Sequence, residues 1–405
     1  MFSDQTVCRL VRSFPQKGRM TFGLEPVFFY LSKEQVKLGA EVHVIAAKDK
    51  QTPLKESPDG IFVHRVKQPY NFYAIKKLKE LDKLRKIDVV HAHATSSLLY
   101  SITRNLTTVK KPLFNHIHTT TLGGMAQQIA SPIKHSFSAA LKTNFWNTIS
   151  LLRQKAMWKR ADILIAVSKA IKDELIKYYR IPGQKIRIVH NGVDIDLFKK
   201  TQEGVKLKEQ LGLSDKLVLL FVGHFGLRKG LTYLLKAMAK VSKFFPSVIL
   251  LAVGGTPTWL RTDVYWKILR STIENLRITS FVKLMDKIPN QELPKYYSMA
   301  DAFVLPTLYD PCPKVILEAM ACETPIIASK VSGIPELIED GHEGILIPSK
   351  NSDLLADKII DLLSNQSDAE RMGKNARARV ERDFTWHICA RKILQLYTDE
   401  LEVAM

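Results

Sequence analysis

Cysteine is scarce in this 405-residue chain and poorly placed for cross-linking. The four residues, Cys8, Cys312, Cys322 and Cys389, are scattered without CxxC spacing. That excludes a disulfide framework or a cysteine zinc site as the organising device and leaves reduced thiols as the expectation. No apolar run approaches the length of a spanning helix, and the opening MFSDQTVCRLVRSF lacks the apolar core of a signal peptide. A cytoplasmic protein is therefore expected, one that could still rest on the inner face of a membrane. Low-complexity tracts are missing too. Acidic residues are absent over one long stretch, with none between Met125 and Arg160.

What is present argues for two domains. The length exceeds the usual single-domain size, and a hydrophobic content of 46% is ample for buried cores. The formal net charge of +20 is uneven. Residues 1–195 carry 32 Lys and Arg against 14 Asp and Glu, an excess of 18, whereas residues 196–405 are nearly balanced. A basic half suggests an anionic partner, nucleic acid or anionic lipid; a solvated lysine-rich surface is the plainer explanation.

The first half alternates strands and helices. Residues 21–46 are predicted as a loop with Gly23, a helix with apolar residues near helical spacing, and a strand starting at Glu41. Strands are predicted over 87–93 (IDVVHAH), 113–119 (LFNHIHT), 161–168 and 186–191. Ligands of open α/β sheets bind at the C-terminal ends of the strands, so His93 and His118, expected to be exposed there, are candidate site residues. A metal site is not expected, because the histidines lack carboxylate or cysteine companions at ligand spacing. Residues 123–160 mix Phe137, Phe145, Trp146 and Trp158 with Lys134, His135, Lys142, Arg153, Lys155, Lys159 and Arg160. Such a stretch suits an interfacial helix on anionic lipid, or a helix packed on the sheet with its basic stems snorkelling. Asp194-Ile195-Asp196 spells a DxD triplet but follows a strand, and is predicted to be a turn and cap rather than a metal site.

In the second half, residues 199–213 are predicted to be a linker with a short helix. Residues 217–222 (LVLLFV) read as a central parallel strand. They lead into Gly223-His224-Phe225-Gly226-Leu227-Arg228-Lys229-Gly230 and a helix, which places two cations at a strand-to-helix turn, where a diphosphate would find N–H donors and positive charge. Further strands are predicted over 248–255, 281–284, 301–305 and 325–328. The stretch 304–325, VLPTLYDPCPKVILEAMACETP, joins an apolar strand to a helix through a turn. Asp310 reaches the space before that helix from the loop and Glu318 from the helix itself, which suits a ligand carrying both phosphate and hydroxyl groups.

Asp310, seven residues, Glu318 and then Ala319-Met320-Ala321 resemble the donor-site signature of family 4 retaining glycosyltransferases, whose first acid is Glu. Gly23 matches the second glycine of the family's first loop, with Phe22 at the first. Lys229 matches its diphosphate lysine, with His224 where the family has arginine. The segments ADILIAVS and NGVD, and the closing helix after Phe384-Thr385-Trp386, match in order.

The resemblance implies a GT-B fold of two Rossmann-like domains facing across a cleft. They would comprise residues 1–195, completed by a C-terminal helix over 385–405, and residues 196–384. It implies a retaining, metal-independent hexosyltransferase without a cofactor. The donor would be a nucleoside-diphosphate sugar such as a UDP- or GDP-sugar. The acceptor would be a glycan or lipid-linked hydroxyl, in the synthesis of glycolipid, lipopolysaccharide, capsule or another cell-surface glycan. Lys229, with Arg228, would hold the diphosphate, aided by Pro313, Lys314 and Val315 at the helix N-terminus. Glu318 would bind ribose hydroxyls, Asp310 and His118 the sugar, Gly23 would lie near the donor, and His93 would lie on the acceptor side. A sugar-nucleotide binder or epimerase-like protein on the same fold is the first alternative. A basic nucleic-acid-binding protein is the second, without a recognisable motif.

Overall fold

The computed structural model describes residues 5–15, 23–49, 52–106, 108–122, 137–255 and 262–404, with the side chains of 137–146, 262–264 and 404 left aside. The chain divides into two compact units, Met1–Gly192 with Trp386–Met405, and Val193–Thr385.

The first unit is built on strands β1 (Thr6–Leu10), β2 (Glu41–Ala47), β3 (Lys55–Glu56), β4 (Phe62–Val66), β5 (Val89–His93), β6 (Leu113–Ile117), β7 (Ile163–Ala166) and β8 (Ile186–Ile188). Their order is β3-β4-β2-β1-β5-β6-β7-β8, parallel throughout except for the β3–β4 pair. The order reverses at β1, whose neighbours are β2 on one side and β5 on the other. The C-terminal ends of β5 and β6 therefore lie beside this reversal, where open α/β sheets bind ligands.

The helix Trp386–Ala404 completes this unit. Its apolar residues Trp386, Ala390, Ile393, Leu394 and Tyr397 recur at helical spacing and are all buried. They face the helix Glu25–Lys37, where Trp386 stacks on Tyr30 with ring centroids 6.3 Å apart. The Tyr397 hydroxyl reaches Nδ1 of His91 on β5. Because Ile393 is fully buried in this seam, Ile393→Ala should cost about 2–5 kcal/mol, read as a lowered urea midpoint.

The second unit carries β9 (Leu217–His224), β10 (Val248–Gly255), β11 (Val282–Met285), β12 (Ala302–Leu305), β13 (Ile326–Ser329) and β14 (Ile345–Ile347). All six are parallel, in the order β11-β10-β9-β12-β13-β14. Val218–Val222 and Leu250–Val253 are fully buried, as central strands covered on both faces must be. The switch point lies between β9 and β12.

Within residues 199–213 the expected short helix forms, but the segment is packed rather than a linker. The helix Glu203–Gln210 packs within the second unit, where a Cβ on Gly204 would come within 2.7 Å of Ser298 Cβ, and Leu213 is buried. Contact that close ties the segment into the second unit. Asp194 forms a turn, its Oδ1 accepting from the amides of Asp196 and Leu197 at 3.1 Å.

Candidate active site

Two loops leave the second sheet at its switch point, one after β9 and one after β12, and they are stitched together. The Leu308 amide and the Thr307 hydroxyl both donate to the Arg228 carbonyl, each at 2.8 Å. The Arg228 guanidinium donates from Nη1 to the Tyr309 carbonyl at 3.4 Å. Lys229 runs past Gly223, and its Nζ donates to Asp310 Oδ2 at 2.5 Å. Both side chains are only 10% exposed. Sequence reasoning gave these residues separate ligands; the structure pairs them with each other.

The β12 loop runs into the helix Lys314–Ala321. Pro313 caps it without a side-chain hydrogen bond, so the first-turn amides of Lys314 and Val315 point out of its N-terminus. Lys314 and Glu318, four residues apart, share a face. Glu318 is buried and accepts from the Tyr297 hydroxyl at 3.0 Å. Burial raises its carboxyl above the usual glutamate range, against the opposing pull of Lys314, the Tyr297 hydrogen bond and Lys229. Burial also lowers the Lys314 ammonium, which Glu318 partly restores. Tyr297 carried no signal in the sequence, lying on a separate short helix, Leu293–Met299.

His224 ends β9, in register with Gly255 at the end of β10. Burial lowers its pKa to about 4, helped by the charges of Lys229, Lys287 and Arg228 and resisted by a hydrogen bond with the Gly255 backbone. It is neutral at pH 7 and cannot replace an arginine as a cation. Lys287, which follows β11, lies over Gly255: its Cγ and Cε would be 3.7 Å from a Cβ placed there. Sequence reasoning missed it, and only the strand order β11-β10-β9 brings it beside His224.

In the first unit, Gly23 is exposed at φ +99°, a conformation that favours glycine, just before the helix Glu25–Lys37. Phe22 lies outside the described residues. His93 and His118 were expected to be exposed, and this is corrected: both are buried. Alternation along β5 and β6 puts His91, His93, His116 and His118 on one stacked column of rings, with neighbouring centroids such as His91–His93 and His116–His118 4.6 and 4.4 Å apart. The reason given against a metal also fails, since ligand atoms of His91, His93 and His116 lie within 4.8 Å of one another without any carboxylate. A different feature opposes a cation there: the Arg9 guanidinium already donates to His93 Nε2 at 2.8 Å.

Trp158 does not belong to an interfacial face. It is buried and packs on Tyr179, with centroids 4.7 Å apart, while Arg153, Lys159 and Arg160 on the same helix, Phe137–Arg160, are exposed. Lys134 and His135 lie outside the described residues, as do the side chains of Phe137, Lys142, Phe145 and Trp146. Among the described residues no helix is long and apolar enough to cross a membrane.

Two α/β units of this topology, each built on a mainly parallel sheet, make up the GT-B fold. Solved structures agree on the fold. Sucrose-phosphate synthase from Thermosynechococcus elongatus aligns with a TM-score of 0.80 at 24% identity, covering 99% of this chain and 100% of that one. Anabaena HepE in complex with UDP and glucose aligns with a TM-score of 0.76 at 22% identity, covering 98% and 100%.

The profile of Glycosyl transferases group 1 matches residues 205–379, and that of Glycosyltransferase Family 4 matches residues 23–197. The chain belongs to glycosyltransferase family 4, and it is a glycosyltransferase. Among relatives, an uncharacterized glycosyltransferase of Methanocaldococcus jannaschii, MJ1607, is 26% identical over 92% of this chain and 93% of its own. Alpha-maltose-1-phosphate synthase of Mycolicibacterium smegmatis is 29% identical over 58% of this chain and 63% of its own.

Proposed function

We propose that the protein moves a hexose from a nucleoside-diphosphate sugar to an acceptor hydroxyl with retention of anomeric configuration, in the building of a cell-surface glycan. The observation that carries the reading is the Lys229–Asp310 pair buried beside Glu318 at the switch point. A diphosphate entering there would draw Lys229 from Asp310, freeing the carboxylate to accept from sugar hydroxyls. Glu318, already oriented by Tyr297, would accept from the ribose. The amides of Lys314 and Val315 would face the charge that grows on the leaving phosphate, so that fixed donors rather than a metal would lower the barrier. As the bond from the anomeric carbon to the phosphate oxygen breaks, the acceptor oxygen would join the same face and its proton would pass to the phosphate. His118 would hydrogen-bond to the donor sugar. His93 would support that group from behind rather than meet the acceptor.

Lys287 would stand in for the arginine that His224 replaces. Neutral His224 also gives some ground to a binder that does not transfer, so the test must separate binding from turnover. Thermal shifts with UDP-, GDP- and ADP-sugars should show one base preferred; at a hundredfold excess over Kd the gain is about 2.7 kcal/mol. Lys287→Ala should weaken that donor about tenfold and Arg228→Ala less, since its guanidinium is turned to Tyr309. No response to any nucleotide sugar would overturn the donor site. A response without product, given a hydroxyl acceptor, would favour the binder.

A further inference from the structure

Arg9 is the feature of the first unit that a packing account leaves unexplained. It sits within β1, fully buried, and each of its three nitrogens donates to a neutral acceptor. Nε donates to Ser32 Oγ at 2.9 Å, Nη2 to Gln35 Oε1, and Nη1 meets His93 Nε2 at 2.8 Å. Among the described residues no carboxylate pairs with it, and a buried cation without a counter-charge costs several kcal/mol.

The contact with His93 has a definite polarity. A guanidinium has only donors, so His93 Nε2 must accept. A neutral imidazole that accepts at Nε2 carries its proton on Nδ1. That Nδ1 lies 3.0 Å from Nε2 of His118, which must therefore accept in turn. The proton of a neutral His118 is then on its own Nδ1. Phe28 closes the side of the column, with its ring centroid 4.5 Å from His93 and 6.4 Å from His118. Burial holds His93 well below its ordinary pKa, with the neighbouring imidazoles and Arg9 adding to the effect, which keeps the middle link neutral.

We propose that Arg9 is a positioning residue that, acting through His93, locks His118 in the Nδ1–H tautomer. His118 is then a neutral imidazole whose one N–H is at Nδ1, with Nε2 occupied from behind. Neither nitrogen is left to accept a proton, so His118 does not serve as the general base for the acceptor hydroxyl. The assignment to hexosyl transfer rests on the proposed function; the tautomer itself does not.

The test is long-range proton–nitrogen NMR on the full chain labelled with 15N-histidine, with His118 assigned by the signal lost in His118→Gln. The native chain should show His118 with Nδ1 protonated and Nε2 bare. Arg9→Met should turn it to a mixture or to the Nε2–H form and lower the transfer rate about 10- to 100-fold, as loss of an orienting partner does. His93→Gln, whose amide still offers one acceptor and one donor, should keep the native tautomer better than His93→Phe. An Nε2–H signal in the native chain overturns the proposal, as does an unchanged tautomer in a folded Arg9→Met. If Arg9→Met does not fold, the native tautomer and the His93 pair decide. The native tautomer without any donor binding would leave the relay standing and remove the functional reading instead.

Discussion

Replacing Lys229 with methionine should lower glycosyl transfer by about 10²–10³-fold, the scale seen when one preorganised donor to developing charge is removed. The same change also strands Asp310. Its carboxylate, 10% exposed, would lose its ammonium partner at 2.5 Å, and a buried charge left alone in this way costs about 3–5 kcal/mol. A double variant separates the two effects. Lys229→Met with Asp310→Asn buries no charge, so its urea midpoint should return toward that of the native chain while transfer stays low. Initial rates with the preferred donor and urea titrations of the three proteins read both quantities. If the double variant regains transfer along with stability, Lys229 is a structural ion-pair partner and the diphosphate is held elsewhere.

That pair also shows what a linear reading can and cannot reach. Lys229 and Asp310 each stood out locally, one in a basic strand-to-helix turn and the other eight residues before Glu318. Their bond joins residues 81 apart and needs β9 beside β12 before it can exist. Lys287 was invisible for the same reason, being an ordinary loop lysine until β11 is placed beyond β10. The central strands were legible because a strand covered on both faces must be apolar almost without break, as Leu217–Val222 and Val248–Val253 are.

The first unit hid more. β1, TVCRL, carries Arg9 in its interior, and β4, FVHRV, mixes a histidine and an arginine into a strand of five residues. In β4 the Arg65 guanidinium is satisfied by the Phe14 carbonyl and by Glu56, so a charge that reads as a loop signal is in fact a tie between neighbouring segments. The histidines failed in the opposite direction. Their strand-end positions were legible, but their burial was not, because no pattern in one strand announces that two neighbouring strands will stack their imidazoles.

Gly230→Ala should be among the most damaging single-methyl changes in the second unit. Gly230 has φ +73°, and a Cβ there would lie 1.8 Å from the Pro306 carbonyl oxygen and 2.7 Å from its carbon. The backbone must move, and what would move apart are the loops that Arg228, Thr307 and Leu308 tie together. The expected loss is about 2–4 kcal/mol, or roughly 5–15 °C in Tm for a unit of this size. The thermal response to donor should go with it, because Lys229 and Asp310 flank that junction. Gly212→Ala is the control. It shares the left-handed conformation, at φ +68°, but has nothing within 4 Å of its Cβ, so only the backbone term of about 1–2 kcal/mol should appear, with donor binding kept. Equal losses from the two variants would mean that the left-handed turn alone explains Gly230. A larger loss confined to Gly230→Ala, with donor binding gone, would assign that glycine to the close approach of the two loops that build the site.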